Sequence, residues 1–264
     1  MFDCLVVGGG VVGCSVSRLL QSLGARCAII ERNMYPLGRA SGGNSGILCT
    51  GYDAPRGSME ALCLQIGRQS ILRAVGSLSS VSLNTGALVM SGNNDMSSIY
   101  FNAVKEIESA KEVSMPLSAK LLQQLEPRLD SARFASNGAM YIDGEITVDS
   151  YHLASSWLSR AMLDGTELYL GHSVRSIEPC LAKPLGDSVL SDATSWKIST
   201  ESSDGRSLTL RAHAVIMCGG NYSEALGGAL SVPEGVLPES GPIQDDSIRD
   251  SLQAPRKGQY VVFR

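Results

Sequence analysis

The residues of this chain best placed to do chemistry come first. Gly8, Gly10 and Gly13 form a G-x-G-x-x-G run inside "CLVVGGGVVGCSVSRLL", residues 4–20. The first glycine permits a tight turn, the second lets the backbone approach a pyrophosphate, and the third lets a helix pack close on a strand. Val11 and Val12 stand where the first helical amides would face that anion. Glu31 follows 21 residues after Gly10, near the spacing of a carboxylate that accepts from ribose hydroxyls and repels a 2′-phosphate. Together they describe a grip on an adenine dinucleotide and leave NAD and FAD both open. Two further stretches bear on that choice. The loop "GRASGGNSGILCTGYDA", residues 38–54, offers many donors, Ser41, Asn44 and Ser45 among them. "AVIMCGG", residues 214–220, ends a buried run in Gly219 and Gly220 and allows a second close backbone approach.

Other reactive residue types are less organised. The seven cysteines are odd in number and form no C-x-x-C pair, so they read as small buried hydrophobes in a reducing compartment. His152, His172 and His213 lie far apart without ligand spacing, and no metal site is expected. Lysine and arginine are scattered over a chain of net charge −4, which argues against a nucleic-acid partner. No apolar run is long enough to span a bilayer, and no signal or transit peptide precedes the first strand. The expectation is an intracellular soluble protein, cytoplasmic by default, with an organelle left open.

Elements must hold these residues in place. "CLVV" reads as a buried parallel strand, residues 11–24 as an amphipathic helix closed by Gly24, and "RCAIIE" as a second buried strand. That is a βαβ unit. Pro36–Gly57 is a long loop, and residues 58–75 and 95–110 each read as one helix. "TGALVMSG" and "GAMYIDG" read as strands, and "SAKLLQQLEPRL" as a short helix ending near Pro127. The helix in 147–165 has Asp149 or Ser150 as N-cap and Gly165 as its stop. "TELYLG" is a strand, and 172–211 reads as an antiparallel meander with turns at "LGDS" and "SSDGRS". "AHAVIMCGGN" is a buried strand, 226–255 a loop-like tail, and "GQYVVF" the start of a last strand.

Taken with this order of elements, the chain resembles the D-amino-acid-oxidase-like family of FAD-dependent oxidoreductases. Within it, the chain is most similar to the branch of glycerol-3-phosphate dehydrogenases and L-2-hydroxyglutarate oxidases. "DCLVVGGGVVG" with "AIIER" is similar to the family's FAD fingerprint, and "ASGGNSGILCTGYDAPRGSMEALC" to its most specific loop. "VDSYHLASSWLSRA", "AHAVIMCGGNYS" and "PRKGQYVVF" resemble later landmarks in the right order. The resemblance implies an α/β chain: a Rossmann-like FAD-binding domain with a parallel sheet and small antiparallel meander, and an inserted α+β substrate domain, incomplete at the C-terminus. The expected bounds are 1–75 with 145–228 for the first and 76–144 with 229–264 for the second. Relatives continue past "KGQYVVF", so an N-terminal fragment is expected.

The resemblance also implies roles. Gly8, Gly10, Val11, Val12 and Gly13 would hold the pyrophosphate, Glu31 the adenosine ribose, and Arg32 the adenine end. Ser41, Asn44, Ser45 and Gly46 would lie by the pyrophosphate and flavin, Val174 by the adenine through its backbone, and Gly219 and Gly220 by the ribityl and phosphate region. Cys49 and Tyr52 would face the flavin as the catalytic candidates, against the simpler reading of plain packing. Cys49 stands where the family loop usually has histidine, and Gly43 where arginine or alanine is common. The implied reaction moves hydride from a small hydroxy acid, glycerol phosphate or amino acid to the flavin N5. The alternatives are a truncated, non-catalytic nucleotide-binding remnant and, less favoured, an NAD-dependent dehydrogenase. No residue names the electron acceptor.

Overall fold

The computed structural model describes residues 1–78, 82–84, 86–91, 95–129, 138–180 and 195–223. The chain divides into two compact units, one of Met1–Asn44 with Ala154–Arg264, the other of Ser45–Leu153.

The first unit is built on strand β1 (Phe2–Val7), helix α1 (Val11–Ser22) and strand β2 (Cys27–Glu31). β1 and β2 pair in parallel with Leu5 opposite Ala28 and Val7 opposite Ile30. Their apolar residues sort by parity, because successive side chains point to opposite faces of a sheet. Leu5, Ala28 and Ile30 face a cluster with Ile177, Ile198 and Leu210, whereas Val6 and Ile29 face Cys14, Ala154 and Leu158. A sheet covered on both faces needs such unbroken apolar runs. Each fully buried Leu, Ile or Val contributes about 2 kcal/mol.

Helix α6 (Ser150–Leu163) leads into β9 (Glu167–Leu170), β10 (His172–Cys180), β11 (Ser195–Ser202) and β12 (Ser207–Met217). The sheet runs β10-β11-β12-β1-β2-β9. Its β12-β1-β2-β9 part is parallel and its β10-β11-β12 part antiparallel. The meander and the buried strand after it, read from sequence as separate elements, share β12. Its first half pairs with β11 and its second half with β1.

The second unit holds two small sheets. One has β3 (Ile47–Leu48), β8 (Ile146–Val148) and β4 (Ser82–Asn84); the other has β5 (Ala87–Met90), β7 (Ala139–Ile142) and β6 (Ser114–Pro116). Its helices are α2 (Met59–Leu78), α3 (Asp95–Glu106), α4 (Glu108–Val113) and α5 (Ala119–Leu125). The single helix expected over 95–110 is two, since Ile107 is extended at φ −71°, ψ 128° and starts α4 as its N-cap. The expected loop at 36–57 contains β3. Asp149 caps α6, accepting from the His152 amide at 2.8 Å. The turn at "LGDS", the tail from 226 and the strand at "GQYVVF" lie outside the described residues.

Candidate functional site

Within the first unit, β1 and β12 end side by side and continue their ladder past the strands: the Cys218 amide donates to the Val7 carbonyl at 2.8 Å. This brings Gly8 against Cys218 and Gly219. Gly8 has φ +116°, and a Cβ there would strike the Cys218 carbonyl. A side chain at Gly13 would strike the Gly8 carbonyl, so only glycine lets α1 start this close to the strand. Gly10 is the N-cap of α1, extended, with no side-chain cap and no acidic residue in the first turn. The first helical amides therefore lack intrahelical acceptors and carry the positive end of the helix dipole. Val12 is 58% exposed. Ser41 reaches this point from the long loop, its Oγ accepting from the Val11 amide at 2.9 Å.

Glu31 ends β2 with 8% exposure. Its carboxylate accepts from the Gly9 amide at 2.7 Å and the Asn33 amide at 2.8 Å. It thus fixes the glycine loop to the end of β2 while sitting at the C-terminal edge of the parallel sheet, where dinucleotides bind in open α/β sheets. Arg32 stacks on the ring of Tyr222, its Cζ 3.8 Å from the ring centroid. Val174 lies on β10, packed against the cluster of Leu5 and Ile30. The strand it belongs to starts beside the exit of β2, where the Gly171 amide donates to the Asn33 carbonyl at 2.9 Å. Gly219 and Gly220 follow β12, Gly220 at φ +58°.

The fold thus brings Gly8 to Gly13, Glu31, Arg32, Ser41, Gly219 and Gly220 to the same end of one sheet. Two participants, Leu37 and Tyr222, escaped the sequence reading, and Gly9 does more than its place in the glycine run implies. Gly9 is held by Glu31, and its carbonyl accepts from the Leu37 amide at 2.9 Å. A Cβ on Gly9 would come 3.1 Å from that of Glu31, a contact as tight as the one at Gly10 with Ser41 and looser than the clash at Gly8. Leu37 is buried at φ +59°, a conformation that costs a leucine about 1 kcal/mol, and nothing in a leucine codon announces it. Tyr222, an aromatic just after a glycine pair, did carry a signal.

The second unit holds Ser45, Gly46, Cys49 and Tyr52, and Asn44 is the last residue of the first segment before it. Gly46 has φ +73° and its carbonyl accepts from the Val148 amide at 2.8 Å, which sets the entry into β3. Cys49 follows β3. Its sulfur accepts from the Gly51 amide at 3.4 Å and lies 3.9 Å from Asp53 Oδ1. Burial pushes the Cys49 thiol above its ordinary 9.0, and the Glu145 and Asp53 carboxylates push the same way against the Gly51 amide. At neutral pH Cys49 is a neutral thiol. Tyr52 packs against the cluster of Val89, Phe101 and Met140. Among the described residues, no helix is long and apolar enough to cross a membrane.

The model of the FAD dependent oxidoreductase family matches residues 3–264, and the chain belongs to that family. It is 24% identical over 179 residues to a glycerol 3-phosphate dehydrogenase of Caloramator mitchellensis, covering 67% of this chain and 37% of that protein. Its fold matches glycine oxidase from Geobacillus kaustophilus with a TM-score of 0.68 at 22% identity, covering 86% of this chain and 58% of that one. It also matches L-alpha-glycerophosphate oxidase from Mycoplasma pneumoniae, solved with FAD bound, with a TM-score of 0.65 at 18% identity, covering 87% and 56%. The chain therefore spans little more than half the length of these structures and about a third of the curated relative.

Proposed function

We propose that the chain is the FAD-holding part of an oxidoreductase acting on a small hydroxy acid, glycerol phosphate or amino acid. The observation that carries this reading is the backbone cradle where Gly8 and Gly13 admit no Cβ beside Cys218, at the uncapped start of α1. A pyrophosphate fits that donor set, and a ribose fits the Glu31 carboxylate at the end of β2. In this reading the first unit is the FAD-binding domain and the second carries the substrate side. Bound FAD would supply the acceptor for the electron pair of a substrate C–H bond.

The chain's own residues then have separable tasks. The amides of Val12 and Gly13 neutralise and orient the pyrophosphate, with Ser41, which holds the Val11 amide, beside them. Glu31 orients the ribose, and its charge disfavours a 2′-phosphate. Arg32 with Tyr222, and the backbone of Val174, border the adenine. Asn44, Gly219 and Gly220 line the path towards the flavin on the first unit. Cys49 is the candidate for the side facing the reacting carbon, while Tyr52 packs into an apolar cluster of the second unit. As a neutral thiol, Cys49 donates or packs there and does not act as the general base. Seven free cysteines support a reducing compartment, the cytoplasm in the simplest case.

The test is the visible spectrum of the purified chain before and after incubation with FAD. A bound chromophore absorbing at about 450 nm is expected. A chain that retains NAD and takes up no FAD would overturn the proposal.

A further inference from the structure

We infer that Glu145 is a positioning residue for the strand end that carries Cys49: its buried carboxylate replaces the backbone ladder there and sets a fixed negative charge beside the thiol. β3 and β8 pair over only two residues, Ile47 with Thr147 and Leu48 with Ile146. Continuing that antiparallel register places Cys49 opposite Glu145, on the same face and within side-chain reach. At this rung the ladder gives way to side chains. The Thr50 amide and the Thr50 hydroxyl both donate to Glu145 Oε1, each at 2.6 Å. Glu145 is 2% exposed, and its own carbonyl accepts from the Gly86 amide at 2.9 Å. Arg68 of α2 clasps the same place from the other side, its guanidinium donating to the carbonyls of Leu48 and Gly144. The residues just before Cys49 and just before Glu145 are thus held by one cation, and the residue just after Cys49 by one anion.

A buried carboxylate is a costly way to hold a strand end, since a neutral amide or one more ladder bond would do so without desolvating a charge. What the charge adds is electrostatic. The groups around the sulfur are Glu145, the Asp53 carboxylate and the Gly51 amide, with Arg68 spent on the two carbonyls. Both carboxylates favour the protonated thiol. A cysteine in the position where a proton acceptor is expected is thereby kept from becoming an anion. This inference rests on the proposed function only for placing Cys49 near the flavin; the arrangement around Glu145 does not depend on it.

The experiment is site-resolved alkylation of the full chain by iodoacetamide, followed by mass spectrometry across pH. In Glu145→Gln, Cys49 should react about three- to tenfold faster at pH 8, with its midpoint moved to lower pH. Exposed Cys63 is the internal reference and should not change. Thr50→Ser, which keeps both donors, should behave as the unsubstituted chain. An unchanged Cys49 midpoint in Glu145→Gln, or a faster rate with no change of midpoint, overturns the inference. Thr50→Val gives a second arm should Glu145→Gln fail to fold. It leaves the carboxylate with one donor fewer, so the midpoint should rise, and a midpoint that stays or falls overturns the inference. Added FAD should slow alkylation of Cys49; if it does not, the flavin-side placement fails and the midpoint result still stands.

Discussion

The two units hold their candidate residues by different means. In the first, the site is made of backbone. Gly8 and Gly13 are there because nothing larger fits between strand end and helix start, and the groups offered to a ligand are main-chain amides. In the second, the region around Cys49 is made of side chains, with buried Glu145 and half-buried Arg68 doing what a longer ladder would otherwise do. A backbone site tolerates few substitutions because its demand is steric. A side-chain site can be retuned one charge at a time.

Breaking the steric half should have the largest effect. Gly13→Ala drives a methyl into the Gly8 carbonyl, so α1 must lift from β1. A loss of about 3 kcal/mol or more is expected, with loss of FAD retention, read by urea unfolding and flavin content. Unchanged stability would show that the cradle can relax and would dissolve the contrast. Glu145→Ala comes next. It strands the Thr50 amide and hydroxyl, costing about 2 kcal/mol. The measurement is thermal unfolding, and FAD content should fall less than in Gly13→Ala. Glu31→Ala removes the acceptor for the Gly9 and Asn33 amides, and about 1 to 2 kcal/mol of stability should go. FAD binding measured by titration should weaken as well; unchanged binding would confine Glu31 to holding the loop.

The smallest effect is expected from pH. Burial pushes the Cys14 thiol from its ordinary 9.0 up to about 12 and Cys27 up to about 11. In the unfolded chain both ionise near 9.0, so above that pH the folded state binds more protons than the unfolded. Stability is then complete below about pH 9 and declines as pH rises towards 11 to 12. Denaturant melts between pH 8 and 11 should show a decline that Cys14→Ala with Cys27→Ala makes shallower, the raised Cys4, Cys49 and Cys218 thiols keeping the remainder.

The same contrast explains what was legible in the chain. The first unit could be read because its constraints are local. Four apolar residues, a glycine run, a helical period and an acidic residue at fixed distance each carry their meaning within 30 residues. Even there, Leu37 at positive φ gave no warning, because its conformation is imposed by the Gly9 carbonyl and by burial. The second unit resisted. The break at Ile107 is a change of direction that the charge pattern of 95–110 does not encode. Nothing beside Glu145 in the sequence marks it as a buried anchor. Its partner Thr50 is 95 residues away, and only folding brings them together. Tyr52, a candidate for the reacting face, packs against an apolar cluster, an outcome that its sequence neighbours could not distinguish from exposure.

β12 has one more consequence. Its first half is registered by the hairpin turn at 202–207 and its second half delivers Cys218 and Gly219 to Gly8. The strand is therefore a gauge: the hairpin at one end fixes the length of chain that arrives at the other. An extra residue at the tip of that hairpin should pass unnoticed, since the pairs from Ser207 onward are unaffected. An extra residue inside the strand would turn every later side chain to the opposite face and carry the glycine pair past its partner. Tolerance to insertion in this chain is set by which side of Ser207 the insertion falls, and hardly by its distance from the cradle.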